Sequence, residues 1–349
     1  MEIIGATLDE LEEYINSFGQ PRYRAKQIME WLYQKGTNDF NEMTNLPVTL
    51  RKDLKDKGLF PSMVSIENVR EAEDGTKKYL FRLQDGMNIE AVYIPEEKRK
   101  TVCFSTQVGC AIGCVFCATG QKGFYRNLTA GEIVDQVRQI GLNCKTRISH
   151  AVAMGQGEPL ANYDATLKAI KLLNADYGLG VAARHLTIST SGVVPGINRL
   201  AEEELQINLA LSLHAANNGL RSDLIPLNRT YPLATVMKAC KSYAQKTNRR
   251  VTLEYIMIKG VNDHKEDLKS LTDLAGGWLC HINLIPYNPV PDVPYRASEN
   301  QTLQYFLSTL RNNGVAASIR QERGAEVGAA CGQLASQYSS LVFHHPTES

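Results

Sequence analysis

The stretch Thr101-Val-Cys-Phe-Ser-Thr-Gln-Val-Gly-Cys110-Ala-Ile-Gly-Cys114-Val-Phe-Cys117 opens the pattern that decides the fold. Its apolar start, 102–105, reads as a short strand, and three cysteines at C-x3-C-x2-C spacing follow it. Strand-sized apolar runs recur downstream at 150–154, 185–190, 207–213, 251–258 and 281–287. Helix-period segments at 129–141, 163–174, 233–246 and 265–274 lie between them. Strands alternating with helices predict a parallel sheet, because parallel neighbours need a crossover connection. Six such units predict a full or partial (β/α)6 barrel, with a weaker seventh strand at 316–321.

Upstream the period changes. Runs at 64–69, 78–83 and 89–94 alternate like strands, and Asp74-Gly75 and Asp85-Gly86 between them are hairpin signals. They predict a short antiparallel β extension. The first sixty residues are helical in pattern. Thr7-Leu-Asp-Glu10 is a capping box ahead of Leu8, Leu11 and Ile15, and Gly19-Gln-Pro21 stops that helix. A second helix is expected over 23–35, with Ile28, Trp31 and Leu32 on one face, and a third over 48–57. The expected division is a helical domain 1–60, a β-rich extension 61–98, a barrel 99–325 and a C-terminal segment 326–349. Beyond Cys331 that segment is polar and expected to be loosely held.

Composition bounds the function. With 43% hydrophobic and 21% charged residues in 349, the chain has globular composition and length for one large and one small domain. Lys plus Arg number 38 against 37 Asp plus Glu, so bulk charge cannot hold a nucleic acid; a local patch must. The apolar runs are too short to span a bilayer, and Met1-Glu-Ile-Ile-Gly-Ala lacks the basic start of a signal peptide. A soluble, cytoplasmic protein with no membrane partner is expected. Four of the eight cysteines fall between 103 and 117, far from the density of a disulfide scaffold, so they read as metal ligands.

Cys110, Cys114 and Cys117 can wrap one corner of a [4Fe–4S] cluster and leave the fourth iron open for a chelating small molecule. Gly113 lets the loop fold tightly around so bulky a group. A zinc site, with Cys103 or a distant His as fourth ligand, is the competing reading, although no second C-x2-C or His pair completes it.

This spacing after a first strand resembles the radical S-adenosylmethionine (SAM) superfamily, whose fold is a partial (β/α)6 barrel. Longer motifs resemble the RlmN/Cfr family of RNA adenosine methyltransferases. They are Val102-Cys-Phe-Ser-Thr-Gln-Val-Gly-Cys110, Ala118-Thr-Gly-Gln121, Arg126-Asn-Leu-Thr129, Met154-Gly-Gln-Gly-Glu-Pro-Leu160 and Ser189-Thr-Ser-Gly-Val-Val-Pro195. Leu211-Ser-Leu-His-Ala215, Asn283-Leu-Ile-Pro-Tyr-Asn288, Ala329-Ala-Cys-Gly-Gln-Leu334 and the N-terminal Pro21-Arg-Tyr-Arg-Ala-Lys-Gln27 complete the match, which covers nearly the whole chain. Two departures stand out: Gln156, where Met is usual, and Gly324-Ala-Glu-Val-Gly328, where an acidic stretch is common.

The resemblance implies a role for each matching residue. Cys110, Cys114 and Cys117 hold the cluster. Gly157, Glu158, Ser189, Ser212, Leu213, His214 and Asn288 bind SAM, of which two are used per turnover. Cys331 carries a methyl group, Cys103 resolves the intermediate as a Cys103–Cys331 disulfide, and Glu90 accepts a proton. Taken alone, each has a plainer reading: a strand-end Ser caps a helix, a lone His or Cys packs in the core, and a strand Glu faces solvent. Most of these positions fall at the carboxyl ends of predicted strands, where barrel enzymes keep their sites.

The RlmN branch, suggested by Gly157-Glu-Pro-Leu160 and Leu284-Ile-Pro-Tyr-Asn-Pro289, implies methylation of adenine C2 in 23S rRNA and in tRNA. The Cfr branch implies C8. A non-catalytic zinc- or iron–sulfur-binding RNA module is the reading from another class. An adenine in folded RNA must be unstacked to reach a buried cluster. Local basic stretches exist at Arg22, Arg24 and Lys26, at Arg51, Lys52 and Lys55, at Lys98-Arg-Lys100 and at Arg249-Arg250. The resemblance also implies a helix-hairpin-helix-like N-terminal domain. The expected protein partner is an electron donor such as flavodoxin or ferredoxin, with the enzyme a monomer.

Overall fold

The computed structural model describes residues 2–334. The expected loose tail falls largely on 335–349, outside the described residues. Helix α1 (Leu8–Asn16) starts at the predicted capping box: Glu10 N–H donates to Thr7 Oγ1 at 3.3 Å, and Thr7 N–H donates to Glu10 Oε2 at 2.8 Å. Helix α2 (Tyr23–Met29) runs on as a π turn over Glu30–Gln34, so the expected second helix is continuous in place but not in hydrogen-bond pattern. Helix α3 (Val48–Asp56) follows. Leu11, Ile15, Ile28, Leu32, Leu50 and Leu54 are fully buried and join these helices into one apolar face.

Strands β1 (Val64–Glu71), β2 (Lys77–Leu83) and β3 (Asn88–Pro95) form an antiparallel meander. It is continuous with the barrel sheet, because β3 pairs antiparallel with β4 (Lys100–Cys103), Val92 opposite Cys103. A separate small hairpin of β5 (Gln107–Gly109) and β6 (Phe124–Asn127) encloses the cysteine loop and the short helix α4 (Ala118–Gln121).

The repeat then proceeds through α5 (Ala130–Asn143), β7 (His150–Ala153), α6 (Tyr163–Asn174), β8 (Leu186–Thr190), α7 (Val194–Leu200) and β9 (Asn208–Ser212). It continues with α8 (Asn218–Leu224), α9 (Leu233–Thr247), β10 (Val251–Met257), α10 (Lys265–Ala275), β11 (Cys280–Pro286), α11 (Asn300–Asn312) and β12 (Ala317–Ile319). The sheet order is β1-β2-β3-β4-β7-β8-β9-β10-β11-β12, parallel from β4 onward. β1 and β12 are the two edges, so the barrel is partial, the form the family resemblance implies and one of the two the six-strand repeat allows. Leu209, Leu211, Leu253 and Tyr255 are fully buried, as parallel strands covered on both faces require.

Helix α5 ties the N-terminal helices to the barrel. Its Arg138 and Asp135 are ion-paired at 2.7 Å and almost wholly buried. Arg138 also donates to the carbonyls of Leu32, Thr37 and Pro61, while Asp135 accepts the Met63 and Val64 N–H groups. The chain passes so close that a Cβ at Gly5 would lie 2.4 Å from Gly131 N. Among the described residues no helix is long and apolar enough to cross a membrane.

Candidate active site

Cys110, Cys114 and Cys117 reach a common cavity because the β5–β6 hairpin folds their loop back over the barrel rim. Gly109 allows this turn: its φ is +75°, and a Cβ there would meet the Gly123 carbonyl at 2.0 Å. That carbonyl accepts the Cys110 N–H at 2.8 Å. Burial pushes the Cys110 thiol up to about 12, and burial with help from the neighbouring cysteines also raises Cys114 well above the ordinary thiol value. No three Cys, His, Asp or Glu side chains among the described residues gather as ligands of a single ion. The three thiols instead line a cavity of about 150 Å3.

The opposite wall comes from the carboxyl ends of β7, β8 and β9. Gly157, with φ +98°, passes so close to β5 that a Cβ would sit 2.5 Å from Gln107 Cβ. The Glu158 carboxylate accepts the Leu160 N–H at 3.1 Å and the Ser191 N–H at 2.7 Å, and burial raises its pKa. Ser189 and Ser212, on adjacent strands, present hydroxyls 3.5 Å apart to the same cavity. His214 lines it too, from a left-handed backbone position of φ +56°. Its Nδ1 accepts the Ile256 N–H at 3.1 Å, which leaves the ring proton on Nε2. Burial, aided by Arg221, holds this imidazole neutral, with a pKa lowered to about 3.

Leu213 lies in the apolar core rather than on the cavity wall, and its N–H donates to the Glu254 carbonyl at 3.0 Å. Asn288 stands in a second cavity of about 180 Å3. Its Nδ2 donates to the Cys331 carbonyl at 3.3 Å, while its buried Oδ1 has no hydrogen-bond partner among the described residues.

Of the two cysteines outside the cluster loop that the resemblance singles out, Cys103 lines neither cavity and Cys331 lines both. Its loop is pinned to the cluster loop, because Ala118 N–H donates to the Gly332 carbonyl at 2.8 Å and Thr119 Oγ1 to the Leu334 carbonyl at 3.1 Å. Cys103 ends β4 beside Val92, which packs with Ala329 of the Cys331 loop. Burial, then the neighbouring Cys331, push the Cys103 thiol up to about 12. All eight cysteines are free.

Glu90 lines neither cavity and does not face solvent. It is 1% exposed and forms an ion pair with Lys78 at 2.8 Å. Cross-strand register puts Lys78, Val92 and Cys103 side by side on one face of the sheet, and alternation along β3 adds Glu90 to it. The Gln156 side chain does not line the first cavity. Its Oε1 accepts the Glu90 N–H at 3.0 Å, locking β3 to the β7 loop.

Three residues at this site were not legible as such in the sequence. Arg221, wholly buried on α8, donates to the carbonyls of Ser191, Ser212 and Leu213 and so fixes the β8 and β9 ends. Glu254 and Arg320 also line the first cavity. A charge inside the apolar run 251–258 was the available signal for Glu254; Arg221 and Arg320 had none.

The residues present fit a cluster and SAM. Three soft thiols face a carboxylate, two hydroxyls and, next door, an unpaired carbonyl oxygen suited to an amine or hydroxyl donor. A thiol triplet at the rim of a partial parallel barrel defines the radical SAM class, and residues 104–272 match the model of the Radical SAM superfamily. Residues 1–58 match the model of the ribosomal RNA large subunit methyltransferase N-terminal domain. The chain is 49% identical over 333 residues to a probable dual-specificity RNA methyltransferase RlmN of Symbiobacterium thermophilum, covering 95% of this chain and 90% of the relative. A Picosynechococcus relative with the same description is 46% identical over 335 residues, 96% of this chain and 95% of the relative. A crystal structure of a radical SAM methyltransferase from Sphaerobacter thermophilus superposes with a TM-score of 0.93 at 46% identity, over 97% of this chain and 100% of that one. The chain belongs to the RlmN family of radical SAM RNA methyltransferases.

Proposed function

We propose that this enzyme methylates C2 of adenosine in 23S rRNA at the peptidyl-transferase centre, and C2 of the adenosine 3′ to the tRNA anticodon. The observation that carries this reading is Cys331 on the shared wall of two cavities, one bearing the cluster thiols and the other Asn288. When bound, the cluster and two SAM molecules supply a methyl group and a radical able to take hydrogen from carbon. Cys110, Cys114 and Cys117 hold the cluster, while Glu158, Ser189, Ser212, His214, Asn288 and the backbone at Gly157 position SAM.

Adenine C2 lies between two ring nitrogens and is too electron-poor to attack a sulfonium methyl. Carbon must therefore be delivered from the protein. Cys331 accepts a methyl on Sγ and presents it to the radical and then to the base. Cys103 attacks the Cys331 sulfur, so that a disulfide forms as the methylated base leaves. Glu90 receives the proton lost from C2; its carboxylate is held on the same sheet face as Cys103. The helical domain 1–60 serves RNA docking. The enzyme works as a cytoplasmic monomer reduced by a flavodoxin- or ferredoxin-type donor.

Paired variants test this. Cys331→Ala abolishes methylation, and Cys103→Ala traps the protein covalently on RNA, visible as a nuclease-sensitive shift on a denaturing gel. Normal product from Cys103→Ala without any adduct contradicts the resolving role.

A further inference from the structure

Among the described residues two carboxylates line the first cavity, Glu158 and Glu254, and they are held differently. Glu158 has both oxygens engaged: Oε1 accepts the Leu160 N–H and Oε2 the Ser191 N–H. Glu254 is 5% exposed and has one oxygen engaged, Oε2, which accepts from Asn283 Nδ2 at 2.8 Å. Among the described residues its Oε1 accepts no hydrogen bond, and neither oxygen forms an ion pair.

Register places this side chain. Glu254 of β10 stands opposite Ser212 of β9 and Asn283 of β11, so the three side chains share the inner face of the barrel. Ile256, two residues further on that face, shares an apolar cluster with Ile112 and Phe116 of the cysteine loop. Glu254 therefore lies one pleat deeper, about 6.6 Å along the strand, level with Ser212.

Asn283 is fixed in its turn. Its Oδ1 accepts the Ser318 hydroxyl at 3.3 Å, so Ser318 Oγ accepts the Nε2–H of His281, 2.7 Å away. Every hydrogen in this chain points toward Glu254. Burial, Arg250 and Arg311 lower the His281 pKa, so the chain brings no positive charge to the carboxylate. It fixes the group and leaves its charge uncancelled. Burial raises the Glu254 carboxyl above its ordinary value, and Arg320 and Asn283 oppose that rise. A cationic ligand beside it acts in the same sense as they do.

We propose that Glu254 is a further SAM-binding residue, its free oxygen facing the sulfonium of the bound molecule. The inference rests on the reading of the first cavity as the SAM site. An amino acid chelates a metal through its amine and carboxylate, so the open iron takes up the methionine end of SAM. The sulfonium is then the one charge of the ligand left to the strand wall. Glu158 has no oxygen free of an internal hydrogen bond, and Ser189 and Ser212 are neutral, so the counter-charge falls to Glu254. The contact discriminates between ligands. SAM carries a positive sulfur, whereas the S-adenosylhomocysteine left after methyl transfer has a neutral thioether. The carboxylate thereby favours exchange of the spent molecule for fresh SAM.

The test is equilibrium dialysis of SAM and of S-adenosylhomocysteine against the anaerobic, cluster-loaded full-length enzyme and its Glu254→Gln variant. Gln keeps an acceptor for Asn283 and removes the charge; Glu254→Ala replaces it if that variant does not fold. Loss of the charge is expected to weaken SAM at least about tenfold and to leave S-adenosylhomocysteine within about twofold of the parent. Equal weakening of both ligands, or of neither, overturns the sulfonium contact. Failure of the underlying reading shows separately, as SAM binding left intact when Ser189 and Ser212 are both replaced by Ala.

Discussion

Lys78 and Glu90 form an ion pair of 2.8 Å in which neither side chain is more than 3% exposed. Breaking such a pair from one side leaves a buried charge uncompensated, at about 3–5 kcal/mol. Glu90→Gln and Lys78→Met are each expected to lower stability to urea by that order. The double variant recovers most of the loss, since two neutral groups replace two charges. It should nevertheless stay inactive if Glu90 takes the adenine proton. Recovery of turnover along with stability would make Glu90 a purely structural residue.

Gly157 combines a φ of +98° with a Cβ position 2.5 Å from Gln107. Gly157→Ala must strain the backbone or push β5 away, and β5 carries the cluster loop. The expected result is at least a tenfold weaker SAM Kd, roughly 1.4 kcal/mol, measured by equilibrium dialysis on cluster-loaded protein. Binding equal to the parent contradicts the close approach.

His214 gives the stability a definite pH dependence. In the unfolded chain it titrates near its ordinary value, about 6.5, whereas the folded protein depresses it to about 3. As pH falls below 6.5 the unfolded chain takes up the proton first, so stability is lost on acidification and is fully present above that value. The slope from this one group is about 1.4 kcal/mol per pH unit. Urea denaturation at pH 6.5 and 5.0 measures it, and His214→Asn should show a shallower slope over that interval.

Arg138→Met should uncouple the N-terminal helices from the barrel, because the guanidinium serves Asp135 and the carbonyls of Leu32, Thr37 and Pro61 together. Amide hydrogen exchange is expected to speed up across residues 2–63 while the strands β7–β11 stay protected. Uniform protection in both regions would show that apolar packing alone holds the domain in place.

The barrel was legible because each of its strands is an apolar run between helix-period segments, and parallel strands are buried on both faces. The β5–β6 hairpin was not. Its strands are very short, and Phe124 and Tyr125 are 45% and 53% exposed, so no inward–outward alternation marks them. Thiols, strand-end serines and the Gly157 turn could be picked out by residue type and place. Glu90 was legible as an acid but not as a buried one, because its partner depends on the register of β2 against β3. Arg221 donates to carbonyls of Ser191, Ser212 and Leu213 that come together only when distant loops close over one another, which no local pattern encodes.

The central claim is that Cys331 delivers carbon to C2 of adenine. The direct measurement incubates the cluster-loaded enzyme, without oxygen, with unmodified 23S rRNA or tRNA, SAM and a reductant. The digested RNA is then compared with methyladenosine standards by mass spectrometry. 2-Methyladenosine is the predicted product, absent with Cys331→Ala. 8-Methyladenosine, or no methylated adenosine from enzyme with an intact cluster, would contradict the account.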